Sequence, residues 1–151
     1  MYFNDYLRKS GFPEIVSWNS ETRIAEYIKN SVVDRVIFRD IPQVFKTRDM
    51  ALMEKVTKFI LSSPGSILNV NSLSQMWRQS KITVSNYLKF LETSLLVRSL
   101  SNYRPSFSSS SRKLKKYYPA TPSLVFSQSK ETFISKMGAV LETYVVNALD
   151  A

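Results

Sequence analysis

Apolar residues recur at helical spacing through most of the chain, and the breaks in that pattern fall where glycine, proline and serine collect. Tyr2 to Lys9 reads as a helix, halted at Ser10-Gly11 and followed by the turn Phe12-Pro13. Ser20 offers an N-cap, and Ile24, Tyr27, Ile28 and the Val32–Val36 stretch extend one helix to about Phe38. Pro42 then punctuates a separate short helical turn around Ile41 to Phe45. Asp49 caps a helix whose Leu52, Val56, Phe59 and Ile60 form one apolar stripe, and Ser62-Ser63-Pro64-Gly65 ends it. Asn71-Ser72 caps a short helix, Leu73 to Gln79, and Ser80 is a fresh cap for Ile82 to Thr93. Arg98 to Tyr103 alternates as a strand does, Pro105 to Ser111 is a serine-rich loop, and Lys113 to Tyr118 is the returning strand. Beyond Pro119 and Pro122, Glu131 to Leu149 reads as a last amphipathic helix. The chain stops within a turn of that pattern, as a piece of a longer protein would.

The expected fold class is therefore mainly α with a small β-hairpin: a winged helix-turn-helix domain preceded by a helical segment. Three regions are expected: a helical segment over 1–47, the winged helix-turn-helix over 48–119, and the start of a C-terminal domain over 120–151. On the third helix of the central unit, Val84, Leu88 and Leu91 fall within about 60° of one another, with Tyr87 at their border. That face is the expected core. Asn86 and Lys89 point the opposite way, with Thr83 and Ser85 on the flanks, where a recognition helix offers groups to base edges or phosphates. Phe90 lies toward the exposed side and is expected to be covered by another part of the chain.

Composition changes this picture by exclusion. The 151 residues include no Cys and no His, which rules out zinc fingers, thiol nucleophiles and His-based triads or metal sites. The three glycines begin neither a G-x-x-x-x-G-K-[ST] phosphate loop nor a G-x-G-x-x-G turn. No catalytic residue, metal site or cofactor is expected in this chain by itself. The start carries no signal-peptide pattern and no run approaches a spanning helix, so a cytoplasmic protein without a membrane partner is expected.

Charge adds a positive reading. Lys and Arg number 21 against 12 Asp and Glu, a net of +9 that is unevenly placed. Met1 to Asn71 holds 10 basic and 8 acidic residues, Ser72 to Tyr118 holds 9 basic and one acid (Glu92), and the remainder 2 and 3. The middle third thus carries +8 of the +9. Arg112, Lys113, Lys115 and Lys116 sit together on the ribbon, with no acid within ten residues of them. That is the footprint of a surface that meets phosphates. Thr83, Ser85, Asn86 and Lys89 with Arg112, Lys113, Lys115 and Lys116 are accordingly the candidate nucleic-acid-binding residues, and duplex DNA the candidate partner.

The run L-S-x-x-x-x-x-S-K-x-T-V-x-x-Y-L-x-x-L-E from Leu73 to Glu92 resembles helix-turn-helix units of prokaryotic proteins. It departs from them at Arg78, where the turn usually has glycine, and at Leu95, where a small residue usually follows the third helix. Three flanking fragments extend the resemblance to archaeal and bacterial AAA-type ATPases. Tyr6-Leu7-x-x-Ser10-Gly11-Phe12-Pro13-Glu14 resembles the Y-L-x-x-G-G-F-P-E signature that follows their ATPase core. Phe38-Arg39-Asp40-Ile41 resembles their Y-R-D-I, and Gly138-x-x-x-Glu142-x-x-Val145 their G-x-x-x-E-x-x-V helix. The resemblance implies the C-terminal part of such an ATPase: the end of the helical lid, the winged helix, and the start of a nuclease-like region. ATP and Mg would belong to a nucleotide-binding half outside this chain. The family's K-x-Y-F-x-D reads here Lys116-Tyr117-Tyr118-Pro119-Ala120, without the acid, and Glu142 alone cannot hold a catalytic Mg²⁺.

Two functions follow. In the first, the winged helix binds nucleic acid for the ATPase. In the alternative it is a docking module that couples the ATPase core to a partner protein without binding DNA. The alternative expects Phe90 and the Tyr103–Phe107 segment to form an exposed apolar patch.

Overall fold

Three of the expected caps form and fix where their helices begin. In a computed structural model of the chain, which describes residues 3–101 and 114–149, Ser20 accepts the Arg23 N–H, Asp49 the Leu52 N–H and Ser80 the Thr83 N–H. Each side-chain oxygen thereby satisfies one of the four N–H groups that a helix start leaves without a partner.

The N-terminal region holds α1 (Phe3–Lys9), a 3₁₀ turn (Pro13–Ile15) and α2 (Glu21–Tyr27). Beyond α2 the winding widens into two π-helical stretches, Ile28–Val33 and Val36–Asp40, and closes as α3 (Ile41–Val44). Residues 21–44 are thus helical throughout, and the expected break before Pro42 does not occur. The reason lies in the π winding. The Asp34 N–H reaches the Lys29 carbonyl and the Ile41 N–H the Val36 carbonyl, each five residues back. Pro42 has no N–H to donate, and a locally widened turn is how a helix absorbs such a gap in its ladder.

The central region runs α4 (Met50–Ser62), β1 (Ser66–Leu68), α5 (Val70–Trp77), α6 (Lys81–Thr93), β2 (Val97–Ser101) and β3 (Lys115–Pro119). The expected hairpin strands pair antiparallel, with Ser99 opposite Tyr117. The sequence reading missed β1, which pairs with the other edge of β3, so the sheet is three-stranded in the order β1-β3-β2. Three residues, Ser-Ile-Leu, are too short a run to show alternation. α5 also starts earlier than expected. Asn69, not Asn71-Ser72, is its cap and accepts the Asn71 N–H.

Both departures from the helix-turn-helix pattern fall on left-handed residues. Arg78 has φ 52° and Leu95 φ 58°. After α6, the Leu96 N–H bonds the Leu91 carbonyl and the Leu95 N–H that of Glu92. After α5, the Gln79 N–H bonds the Ser74 carbonyl and the Arg78 N–H that of Gln75. These are two Schellman closures, whose left-handed position glycine fills without strain. A non-glycine residue there costs roughly 1–2 kcal/mol, of which glycine's greater freedom in the unfolded chain returns about half. Leu95 is 80% exposed, so its side chain buries little. Leu95→Gly is therefore expected to raise Tm by about 1–4 °C in a thermal melt.

The C-terminal region holds α7 (Ser123–Phe126), α8 (Lys130–Ser135) and α9 (Met137–Leu149). The single expected helix over Glu131–Leu149 is thus two, parted at Lys136, which leaves helical geometry at ψ 21°. α7 is buried along its whole length and packs on α1, α4 and the first π stretch. Thr121 and Ser123 donate their hydroxyls to the Ser10 carbonyl at 2.8 and 2.6 Å. Glu21 bridges Arg8 and Lys130 at 2.7 and 2.6 Å. One hydrophobic core runs from Leu7 and Ile37 through Met53 and Leu91 to Phe126 and Val140.

Candidate nucleic-acid interface

Burial divides α6 into the two faces the spacing predicts. Val84, Tyr87, Leu88 and Leu91 are buried. Ser85, Asn86 and Lys89 are exposed, and Thr83 is half-buried. The Thr83 hydroxyl lies 2.8 Å from that of Ser80, so it belongs to the cap as well as to the surface. Tyr87 fixes the helix against α4: its hydroxyl accepts the Asp49 N–H at 3.0 Å, joining the third helix to the cap of the first. Gln79, in the turn between α5 and α6, reaches the other Asp49 oxygen at 3.5 Å.

Lys81 is a further candidate beside those named from the sequence. It opens α6 and is exposed. Lys81, Ser85 and Lys89 recur every four residues, so they line one side of the helix. The spacing alone could have found it. Beside them the start of α5 and the first half of α6 enclose a concavity of about 440 Å³, lined by Asn69, Val70, Asn71, Lys81, Ile82, Ser85 and Asn86. Its lining mixes amide and hydroxyl groups with one ammonium and the 75% exposed Ile82. Such a surface can donate and accept hydrogen bonds and meet an apolar group.

Phe90 is covered as expected: its ring stacks on Phe45, centroids 4.2 Å apart and planes 17° from parallel. It packs against the core and forms no exposed patch on α6, contrary to what the docking reading needs there. The Tyr103–Phe107 segment lies outside the described residues, as do the candidate residues Arg112 and Lys113.

The ribbon sends its lysines in different directions, because successive side chains on a strand face opposite sides of the sheet. Lys115 is half-buried, with its ammonium 3.4 Å from the Ser99 hydroxyl. Tyr117, on the same side, is buried, and its phenol is pushed well above the ordinary range, first by burial and then by the charge of Glu92 at the end of α6. Lys116 and Tyr118 turn to the other side, toward α9. There the Lys116 ammonium lies 3.0 Å from Glu142 Oε1, and the Tyr118 hydroxyl donates to the same oxygen at 2.7 Å. The Tyr118 and Lys116 hydrogen bonds hold the Glu142 carboxyl below its ordinary value, and the bond to Glu142 raises the Lys116 ammonium above its own.

Of the fragments on which a resemblance to AAA-type ATPases is expected, Gly11 takes φ +87° and a Cβ there would stand 3.2 Å from Thr121. Phe38, Arg39 and Asp40 are exposed on the second π stretch, and Asp40 makes no capping hydrogen bond. Among the described residues no three acids gather in a way that could hold a metal ion. No described helix is long and apolar enough to cross a membrane.

Among curated proteins, the chain is similar to an uncharacterized protein, MJ1544, of Methanocaldococcus jannaschii, with 22% identity over 149 residues. That match covers 95% of this chain but 32% of the relative, so the chain spans about a third of the relative's length. No solved structure matches it. Residues 1–132 match a family of proteins, and the chain belongs to that family, described as "Domain of unknown function (DUF8612)".

Proposed function

We propose that residues 48–119 form a winged helix-turn-helix unit that binds duplex nucleic acid, as one module of a cytoplasmic AAA-type ATPase whose nucleotide-binding half, with its ATP and Mg, lies outside this chain. The observation that carries the reading is the outward face of α6, where Lys81, Ser85, Asn86 and Lys89 stand exposed, the first three lining the concavity beside α5. The order of elements supports it: three helices and a three-stranded sheet with β3 in the centre, β2 and β3 following α6, is the order expected of a winged helix. So does charge, with +8 of the net +9 between Ser72 and Tyr118. The length of the archaeal relative, of which this chain matches 32%, leaves room for an ATPase core elsewhere.

In this reading Lys81, Lys89 and the wing residues Arg112, Lys113 and Lys115 neutralise phosphates, while Ser85 and Asn86 face base edges, with Thr83 bracing the helix start. Asn is the side chain that pairs adenine through two hydrogen bonds in the major groove. Phosphate neutralisation releases counterions, so affinity must fall steeply with salt. For about five phosphates, log K against log[salt] is expected to fall with a slope near −4.5. A fluorescence-anisotropy titration of labelled duplex DNA from 50 to 300 mM salt reads it directly. Absence of binding at the lowest salt would refute the proposal.

A further inference from the structure

Between Ser72 and Tyr118 nine basic residues meet one acid, and that acid, Glu92, sits in the last turn of α6, where its charge acts on Tyr117. The carboxylate that faces the ribbon's other side comes from α9. Glu142 Oε1 receives both the Tyr118 hydroxyl at 2.7 Å and the Lys116 ammonium at 3.0 Å. The carboxylate is also confined from behind: a Cβ on Gly65 would lie 3.1 Å from the Tyr118 ring and 3.4 Å from Glu142 Oε2. Lys116 and Glu142 are each 45% exposed, so solvent and other anions reach the pair. A phosphate oxygen and a carboxylate oxygen offer a lysine the same interaction.

From this geometry we propose that Glu142 is a built-in competitor for phosphate: α9 holds the ribbon's Lys116, and nucleic acid gains that contact only when the carboxylate lets go. The inference rests on the nucleic-acid reading above and adds to it a restraint on the same surface. A partly exposed ion pair is weak, which suits a latch that a strand of phosphates has to open. Tyr118 keeps Glu142 aimed at Lys116, and α9 is the element whose displacement would free the ribbon.

The test compares wild type with Glu142→Gln, titrating the same labelled duplex across salt. Glu142→Gln is expected to bind about three- to tenfold more tightly at 50 mM salt, with a slope steeper by about 0.9, the value of one additional phosphate contact. Lys116→Met is expected to abolish the gain in Glu142→Gln. Glu131→Gln, the same charge change at an exposed acid on α8, is expected to leave the slope unaltered. Tyr118→Phe, which loosens the carboxylate without changing charge, should move in the direction of Glu142→Gln by a smaller amount. If wild type binds and Glu142→Gln has the same slope, the latch is overturned and the nucleic-acid reading stands. If neither binds at low salt, the reading falls and the latch with it.

Discussion

Phe126→Ala is expected to destabilise the whole chain by about 3–5 kcal/mol, and to do so in the central helices as much as beside the mutation. The ring is 1% exposed, meets Phe133 edge-on at 5.4 Å and lies under the Arg8 guanidinium at 5.9 Å. Its helix, α7, touches α1, α4 and the first π stretch at once. Removing the ring therefore opens a cavity where three regions of the chain meet, and close-packed surroundings fill such a cavity only in part. A domain of this size has roughly 5–15 kcal/mol in hand, so the loss is a large share of it. The two tryptophans make the experiment local. Trp18 lies in the N-terminal region against Arg23 and Tyr27, and Trp77 closes α5 against Phe59. With each kept alone, urea transitions read at either tryptophan should coincide in wild type and move together in Phe126→Ala. A Trp77 transition that stays in place while the Trp18 transition shifts would mean that residues 48–119 fold by themselves.

That dependence was hard to see in the sequence, and the reason is physical. Periodicity reports which face of a helix is apolar, not what covers it. It gave the caps at Ser20, Asp49 and Ser80 and the buried side of α6, because those are settled within one or two turns of chain. It failed where a long-range partner decides. β1 exists because β3 has a free edge for three residues to pair with. Ser129, by accepting the Thr132 N–H, starts a helix that ends at Ser135, and an apolar pattern running smoothly to Leu149 hides the break at Lys136. The helix through Pro42 was misjudged by a local rule that holds for α winding and is relaxed by π winding. For the site, the exposed Ser85, Asn86 and Lys89 were legible from angles alone, and Lys81 could have been. The pairing of Lys116 with Glu142 was not, since 26 residues separate them and only folding sets them side by side.

Reversing two charges, Lys81→Glu with Lys89→Glu, is expected to weaken duplex DNA binding by about a hundredfold at 50 mM salt and to flatten the salt slope by roughly 1.8, two phosphate contacts at 0.9 each. Both side chains are exposed, so folding should be little affected. At position 81, the first residue of α6, an acid even complements the positive end of the helix. Loss of binding in a variant that melts at the wild-type temperature would therefore be an electrostatic effect on the ligand. Asn86→Ala should behave differently. It leaves the slope alone and costs about 1–3 kcal/mol on a preferred sequence only, because a base-edge contact discriminates among sequences whereas a phosphate contact does not. The docking alternative gives the opposite pattern. A protein partner held through apolar contacts would lose little on either change, and duplex binding, if any, would keep its slope when α6 is reversed. Steepness in salt that falls by about 1.8 with Lys81 and Lys89, together with sequence preference that disappears with Asn86, is a signature that only a helix lying in a nucleic-acid groove produces.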